Sequence, residues 1–401
     1  MFKRKISEIL HEFAKFPAVA ILGPRQSGKT TLAQQMFPNH TYLSFEDEAI
    51  RDMAQSDPWF FFNHHENKYG VILDEFQYVP NILSYIQLIA DEKKRPGYFI
   101  LSGSQNFLVN QAITQSLAGR VGIVNLFPLS LQECIDNKII GEQTTIDEMI
   151  FRGFYPRIYQ ESINATNFYS SYINTYVEKD VRQLVNIGDF HNFQKFTALC
   201  AGRAGQLVNF EALGDECGIS NKTVKSWLSI LEASYIIFLL QPHYVKVNMR
   251  VIKTPKLYFY DTGLACSLLR IPTQETLAFY PLRGALFENL IIADLYKQYC
   301  NIGQRPPLYF WRDKNGSYEV DCIIDQGIYL IPVEIKSGQT VKPEFFKGLA
   351  FWNELNVIKE PQGYVVYGGE LAHARSIGNI IGWKEAAGLV ERLSKTLPGA
   401  I

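Results

Sequence analysis

The residues best suited to chemistry near the start of the chain form the run GPRQSGKT, from Gly23 to Thr30. This run fits the pattern GxxxxGK[ST], in which glycines let backbone N–H groups point inward around a chain of phosphates. Lys29 would reach the β- and γ-phosphates, and the Thr30 hydroxyl would ligate Mg²⁺. The predicted nucleotide-binding residues are Gly23, Pro24, Arg25, Gln26, Ser27, Gly28, Lys29, Thr30 and Thr31.

Two adjacent carboxylates, Asp74 and Glu75, end the apolar run at residues 71–73. Asp74 would hold Mg²⁺ through its water shell, and Glu75 would polarise the water that attacks the γ-phosphate. The alternative is a solvated acidic strand end, but the phosphate-binding loop upstream favours the metal-site interpretation.

Further polar residues follow the next apolar run, at Ser102 and Ser104. One of these serines would lie beside Asp74 and sense the γ-phosphate. Arg120 precedes another β-rich run and is a candidate arginine finger or sensor, in cis or in trans; the alternative is an ordinary surface arginine. The predicted catalytic residues are Lys29, Glu75, Ser102 and Arg120.

A second acidic group lies far along the chain, where Asp321 stands near the start of one predicted strand and Glu334 and Lys336 end the next. Side chains two residues apart on a strand point to the same face, so Glu334 and Lys336 can share a pocket with Asp321. The two carboxylates would form a second Mg²⁺ site, with Glu288 from the preceding helix as a further ligand and Lys336 acting on water. The alternative is a domain that keeps this fold and only binds or packs.

Residues 210–233 have the spacing of a helix-turn-helix, and the apolar run at 235–240 and the run at 243–256 complete a predicted winged helix. The first helix runs from Phe210 to Cys217, and Ser220 caps the second after a turn at Gly218. The basic residues of this region are Lys222, Lys225, Lys246, Arg250, Lys253 and Lys256. This patch suits DNA phosphates; a surface for packing against protein is the open alternative.

The scaffold that positions these residues is predicted to be α/β. Residues 18–22 form an apolar run typical of a strand buried on both faces of a parallel sheet, and a helix follows that ends at Pro38. The predicted regions are a P-loop ATPase domain at 1–150, a helical connector at 151–195, a winged helix at 196–255 and an α/β domain at 256–401. In the connector, Arg157, Lys179 and Arg182 are interpreted as solvated helix charges or as contacts to a phosphate or a neighbouring subunit.

Composition restricts the classes of function. The chain has 401 residues, enough for two or three domains, and its formal net charge of −1 excludes a global attraction to nucleic acid or membrane. The six cysteines form no CxxC pair and are predicted to be buried thiols. The basic start predicts an amphipathic helix rather than a signal peptide, and no run is apolar enough to span a bilayer. We therefore expect a cytoplasmic protein without membrane contact.

The ordered motifs GPRQSGKT, ILDEFQ, LSGSQ, SLAGRV and FPLS resemble archaeal and bacterial AAA+-type P-loop ATPases that carry a C-terminal region of unknown function. The later segments GFYPRIY, YVEKDV, YFYDTGLA and FENLI resemble that region too. From residue 256 the helix–three strands–helix–strand order resembles restriction-endonuclease-like (PD-(D/E)XK) folds. The resemblance implies ATP and Mg²⁺ as cofactors, with Lys29, Thr30, Asp74 and Glu75 in their usual roles.

The expected function is ATP binding and Mg²⁺-dependent ATP hydrolysis, coupled to a winged-helix and nuclease-like C-terminal half that acts on DNA. Two alternatives stay open. One is an ATP-gated, metal-dependent DNA endonuclease, and the other is a nucleotide-switched scaffold for a protein partner or for further copies of the chain.

Overall fold

The computed structural model describes residues 2–104, 113, 116–177, 190–243, 253–313, 315–355 and 362–396. Five parallel strands form the first sheet, in the order β2-β3-β4-β1-β5. They are β1 (Ala18–Leu22), β2 (Thr41–Ser44), β3 (Val71–Asp74), β4 (Phe99–Gly103) and β5 (Val121–Asn125). The helices of this part are α1 (Ser7–Phe13), α2 (Lys29–Met36), α3 (Glu48–Ser56), α4 (Pro58–His64) and α5 (Ile82–Lys93), with a 3₁₀ turn at Phe76–Tyr78.

Strand β1 is buried at every position, as its apolar sequence predicts. Val19 and Ile21 belong to a core cluster that includes residues of α1 and α2, whereas Ala18, Ala20 and Leu22 belong to the larger core on the other face. This alternation follows from the two-residue period of a strand. The predicted α/β class with a parallel sheet is confirmed, and the sheet aligns the carboxyl ends of β1, β3 and β4.

A mainly helical segment follows the first sheet. Its elements are α6 (Leu131–Asp136), α7 (Ile146–Arg152), α8 (Pro156–Gln160), α9 (Ala165–Tyr172) with a π-helical turn at Ile173–Val177, α10 (Phe190–Ala201), α11 (Phe210–Cys217), α12 (Asn221–Ala233), β6 (Ile237–Pro242) and β7 (Lys256–Phe259). The predicted helix-turn-helix boundaries are confirmed: Gly218 ends α11 in the left-handed region, and the Ser220 side chain caps α12 by accepting a hydrogen bond from the Thr223 amide.

The rest of the chain builds a mixed eight-stranded sheet with the order β12-β13-β11-β10-β9-β8-β6-β7. Its elements are α13 (Thr262–Leu268), α14 (Gln274–Ala278), α15 (Arg283–Asn301), β8 (Leu308–Arg312), β9 (Glu319–Gln326), β10 (Tyr329–Lys336), a 3₁₀ turn (Pro343–Phe346), α16 (Lys347–Leu355), β11 (Tyr364–Tyr367), β12 (His373–Arg375), β13 (Gly378–Gly382), α17 (Trp383–Ala386) and α18 (Leu389–Thr396). The predicted order of helix, three strands, helix and strand is present, with β8, β9 and β10 antiparallel and β10 parallel to β11.

Strand β6 joins the helix-turn-helix region to the C-terminal region, because it pairs with β7 on one side and with β8 on the other. The predicted boundary between residues 255 and 256 falls between β6 and β7, inside this sheet. The four domain ranges stay predictions.

Helix α15 contacts both halves of the molecule. Just C-terminal to its midpoint, Asp294 accepts a hydrogen bond from the Leu131 amide at 2.6 Å. Just N-terminal to its midpoint, the Asn289 side chain bonds both the amide and the carbonyl of Phe259, at 2.7 and 2.8 Å. The helix is buried along most of its length and connects the first sheet to the second.

The six cysteines are free and buried, which confirms the predicted buried thiols. Burial raises the pKa of the Cys200, Cys266 and Cys300 thiols, so these groups stay protonated and unreactive. Among the helices within the described ranges, none is both long enough and apolar enough to cross a membrane.

Candidate functional site

The loop between β1 and α2 has a backbone that requires glycine at two points. Gly28 has a φ of 95°, in the region that side chains disfavour, and it immediately precedes the first residue of α2. A Cβ on Gly23 would lie 2.1 Å from the Leu126 carbonyl oxygen, which only glycine avoids. The buried Lys29 ammonium donates to the Pro24 carbonyl at 2.8 Å, so the positive charge lies over the loop itself. Such a loop at a helix N-terminus is an anion site.

Asp74 is the centre of a polar cluster at the carboxyl end of the first sheet. The Thr30 hydroxyl lies 3.1 and 3.0 Å from its two carboxylate oxygens, and the Ser102 hydroxyl donates to Oδ1. The register explains the contact, since Asp74 of β3 pairs directly with Ser102 of β4. The structure thus brings together three of the residues predicted from separate motifs. A hydroxyl and a carboxylate at this distance are hard oxygen ligands that fit Mg²⁺.

Glu75 has its own hydrogen-bond partners. Its backbone adopts a left-handed φ of 52°, and its carboxylate accepts from the Gln77 amide and from the Ser104 hydroxyl, the latter at 3.1 Å. The two serines therefore have separate roles, Ser102 on Asp74 and Ser104 on Glu75. The left-handed turn sets Glu75 apart from the strand and places it on the wall of the cavity described next.

A cavity of about 440 Å³ opens over the loop. One wall is made by loop residues, among them Lys29 and Thr30, and the opposite wall by α8 and the residue after it. Arg157 and Glu161 line that wall and form an ion pair at 3.0 Å. Sequence patterns named Arg157 only as one of three connector cations; the other two, Lys179 and Arg182, lie outside the described residues.

Arg120 lies at the amino-terminal end of the strands of the first sheet, opposite the end that carries the phosphate-binding loop. It immediately precedes β5, whose first residue pairs with Ala18 at the start of β1, whereas the phosphate-binding loop follows the end of β1. The five residues of β1 separate the two ends of the strand by roughly 17 Å. The Arg120 guanidinium binds Asp91 of α5 at 2.8 Å. The prediction of a role in cis is therefore wrong, because the side chain is at the opposite end of the strands from the phosphate-binding loop. The trans role stays a prediction.

Arg4 was not predicted from sequence. Its guanidinium donates to the Ser27 carbonyl of the loop at 2.7 Å, to the Phe127 carbonyl at 2.6 Å and to the Glu133 carboxylate at 3.0 Å. The side chain is 7% exposed. It braces the loop from behind, and no local pattern in the first residues of the chain indicates this contact.

The C-terminal acidic group is assembled around Lys336. Its ammonium binds the Asp321 carboxylate at 2.9 Å and the Glu334 carboxylate at 2.6 Å. Burial and the neighbouring Asp321 charge raise the pKa of Glu334 to about 8, although Lys336 opposes this shift. Burial also disfavours the charge on Asp321, but Lys336 and Lys256 outweigh it and hold the pKa of that carboxyl below its ordinary value. Lys336 thus brings the two predicted carboxylates together.

Glu288 has hydrogen-bond partners of its own beside this group. Its carboxylate accepts from the Tyr258 hydroxyl at 2.6 Å and from the Lys256 ammonium at 3.2 Å. Across the described ranges, no three His, Cys, Asp or Glu side chains are grouped as a metal site. The three carboxylates assigned to a second Mg²⁺ site thus bind two lysines, Lys256 and Lys336, and the metal site itself stays a prediction.

The predicted DNA-binding patch is only partly at the surface. Lys222 and Lys225 are exposed on α12, and Lys253 is exposed before β7, whereas Lys246 and Arg250 lie outside the described residues. Lys256 is 3% exposed and binds both Glu288 and Glu319. Its assignment to the patch is wrong, because it is a buried counter-ion of the C-terminal acidic residues.

Three family models match separate parts of the chain. Residues 15–135 match an AAA domain, residues 143–275 match a domain of unknown function, DUF8612, and residues 283–385 match another, DUF4143. The AAA match supports a P-loop ATPase in the first part of the chain and, in general terms, ATP binding and hydrolysis.

The similar curated proteins carry the name uncharacterized protein. Rv2008c of Mycobacterium tuberculosis and Mb2031c of Mycobacterium bovis are each 26% identical over 327 residues, which is 81% of this chain and 71% of theirs. Among solved structures, the Walker-type ATPase PABY2304 of Pyrococcus abyssi is 16% identical with a TM-score of 0.45, covering 68% of this chain and 96% of its own. The RuvB Holliday junction branch migration motor of Thermotoga maritima is 16% identical with a TM-score of 0.28, covering 58% and 87%. At these TM-scores neither structure bears on the function of this chain.

Proposed function

We propose that this protein binds ATP with Mg²⁺ and hydrolyses it, and that the nucleotide state is coupled to the C-terminal half. The observation that carries the proposal is the contact of Thr30 with Asp74, made where Thr30 and Lys29 line one cavity at a helix N-terminus. Motifs 44 residues apart in sequence converge there on the groups that a nucleoside triphosphate and its cation require.

Each residue of the site has a defined task in this proposal. The glycine-rich loop and Lys29 bind the phosphates, and Thr30 and Asp74 would hold the Mg²⁺ ion, which neutralises charge on the phosphate oxygens when bound. Glu75 orients and polarises the attacking water, and Gln77 and Ser104 hold its carboxylate. Ser102 fixes Asp74. Arg120 would act on the nucleotide of a second copy of the chain.

Coupling to the C-terminal half is proposed to run through α8, the far wall of the cavity. The segment before α8 is tied to Asp261, whose carboxylate accepts from the Phe154 amide at 2.7 Å and from the Tyr169 hydroxyl at 2.6 Å. Asp261 also caps the N-terminus of α13, the helix that follows β7 of the eight-stranded sheet in sequence. A phosphate that displaced Glu161 from Arg157 would therefore move a helix anchored to the second half.

The decisive experiment compares wild type with Glu75→Gln in ATP binding and phosphate release. We expect Glu75→Gln to bind ATP as wild type does and to lose at least 100-fold in turnover, since general-base catalysis contributes on this scale. Glu46→Gln, which changes another carboxylate that lines the cavity but has no assigned task, is the matched control and should turn over normally. Normal turnover in Glu75→Gln would remove Glu75 from its role, and absence of ATP binding to wild type would end the proposal. A wild type that binds ATP but hydrolyses it only with a partner present would favour the scaffold alternative.

A role on DNA is the second candidate. The observation in its favour is that the second helix of the helix-turn-helix, α12, exposes Lys222 and Lys225 beside the β6–β7 pair, an arrangement we interpret as a winged helix. We propose binding of duplex phosphates by this face. Cleavage of DNA by the Asp321, Glu334 and Lys336 group stays a prediction.

A further inference from the structure

Tyr42 of β2 contacts the centre of the proposed ATPase site without belonging to any of its motifs. Its hydroxyl donates to Asp74 Oδ2 at 2.8 Å. The parallel register of β2 and β3 brings the two residues to the same sheet edge, with Ser44 paired to Asp74. The tyrosine ring is 39% exposed, so it is not one of the residues that fill the core.

The hydrogen bonds of Asp74 show why this contact matters. Ser102 donates to Oδ1, and the Thr30 hydroxyl is shared between both oxygens. Among the described contacts, Tyr42 is thus the donor that bonds Oδ2 and does not also bond Oδ1. Asp74 is 6% exposed, and a buried carboxylate oxygen without a donor is costly. When the Thr30 hydroxyl binds a cation instead, Tyr42 is the described donor that still supplies a hydrogen bond to Oδ2.

We propose that Tyr42 is a positioning residue for the divalent cation, holding Asp74 in the orientation in which it and Thr30 receive Mg²⁺. The inference rests on the proposed ATPase function and adds a residue to that site.

The test measures metal binding directly, apart from turnover. Mn²⁺ serves as the probe, and its binding to the full chain in the presence of ADP is followed by electron paramagnetic resonance. Tyr42→Phe removes one hydroxyl and keeps the ring. Tyr69→Phe is the matched control, because Tyr69 is also exposed but lies just before β3, near the opposite end from Asp74.

We expect Tyr42→Phe to weaken Mn²⁺ binding about three- to tenfold, the scale of one charge-assisted hydrogen bond at a partly solvated site. Affinity for ADP in EDTA should be unchanged, and Tyr69→Phe should match wild type in both measurements. Wild-type Mn²⁺ affinity in Tyr42→Phe overturns the inference while leaving the ATPase proposal intact. An equal loss of ADP affinity in EDTA also overturns it, because a general structural role would then explain the effect. Failure of wild type to bind ADP ends both proposals.

Discussion

The brace that Arg4 forms behind the phosphate-binding loop gives a quantitative prediction. Arg4→Met keeps most of the side-chain volume and removes three hydrogen bonds from a charged donor. It leaves the Glu133 carboxylate, 1% exposed, with the Lys5 and Ser130 backbone amides as donors at 2.8 and 2.9 Å.

Removing one partner of a buried ion pair costs about 3–5 kcal/mol. The two remaining amides support the Glu133 charge, so we expect the lower end, about 3 kcal/mol, for Arg4→Met. Glu133→Gln keeps an acceptor for Arg4 and should cost about 1–2 kcal/mol. Because each variant already loses the charge–charge attraction between Arg4 and Glu133, the double variant should cost about 1–2 kcal/mol less than the sum of the two.

Scanning calorimetry of the full chain is the assay. The transition to follow is the one whose Tm rises when ATP is added, since that transition reports the loop region. About 3 kcal/mol corresponds to a fall in Tm of roughly 6–12 °C for a domain of this size. The KM for ATP should rise more than kcat falls, because the brace acts on the loop that binds phosphate. Strict additivity of the two substitutions, or a Tm within about 1 °C of wild type for Arg4→Met, would refute this reasoning.

Two further predictions concern other parts of the molecule. Burial raises the pKa of Asp294 to about 6, so the folded protein holds this proton more tightly than the unfolded chain, and stability from this group is present near pH 4 and lost as pH rises through about 6. Asp294→Asn should abolish that loss, which amounts to at most about 3 kcal/mol, in Tm measured from pH 4 to 7; an unchanged pH profile would contradict the assignment. Replacing Lys222 and Lys225 by Ala should weaken duplex DNA retention and lower the salt slope by about two, with exposed Lys68→Ala as control. Equal retention of DNA by wild type and all the lysine variants would remove α12 from DNA binding. With the same DNA, nicking that requires Mg²⁺ and that Glu334→Ala abolishes would support the second metal site.

The convergence of Thr30, Asp74 and Ser102 could be predicted because each follows a strand or loop with a strong local pattern. Parallel strands bring such ends to one edge without any knowledge of the remaining chain. The Ser220 cap was predictable for the same reason: a cap depends on the residues within one helical turn.

Tyr42 and Arg4 could not be found this way. Tyr42 belongs to a short edge strand that is only partly buried and lacks a clear apolar pattern, and Arg4 acts on residues more than 20 positions away. Lys256 shows the opposite error, in which a local run of basic residues suggested a surface patch. Its carboxylate partners, Glu288 and Glu319, come from a later helix and strand, and only the folded chain shows that they surround it.

Strand β6 limits how the halves of this protein can be separated. A chain cut between residues 255 and 256 would strip β7 from β6 and leave a row of unpaired backbone groups, which favours aggregation. Backbone pairing through β6 therefore joins the helix-turn-helix region to the C-terminal strands.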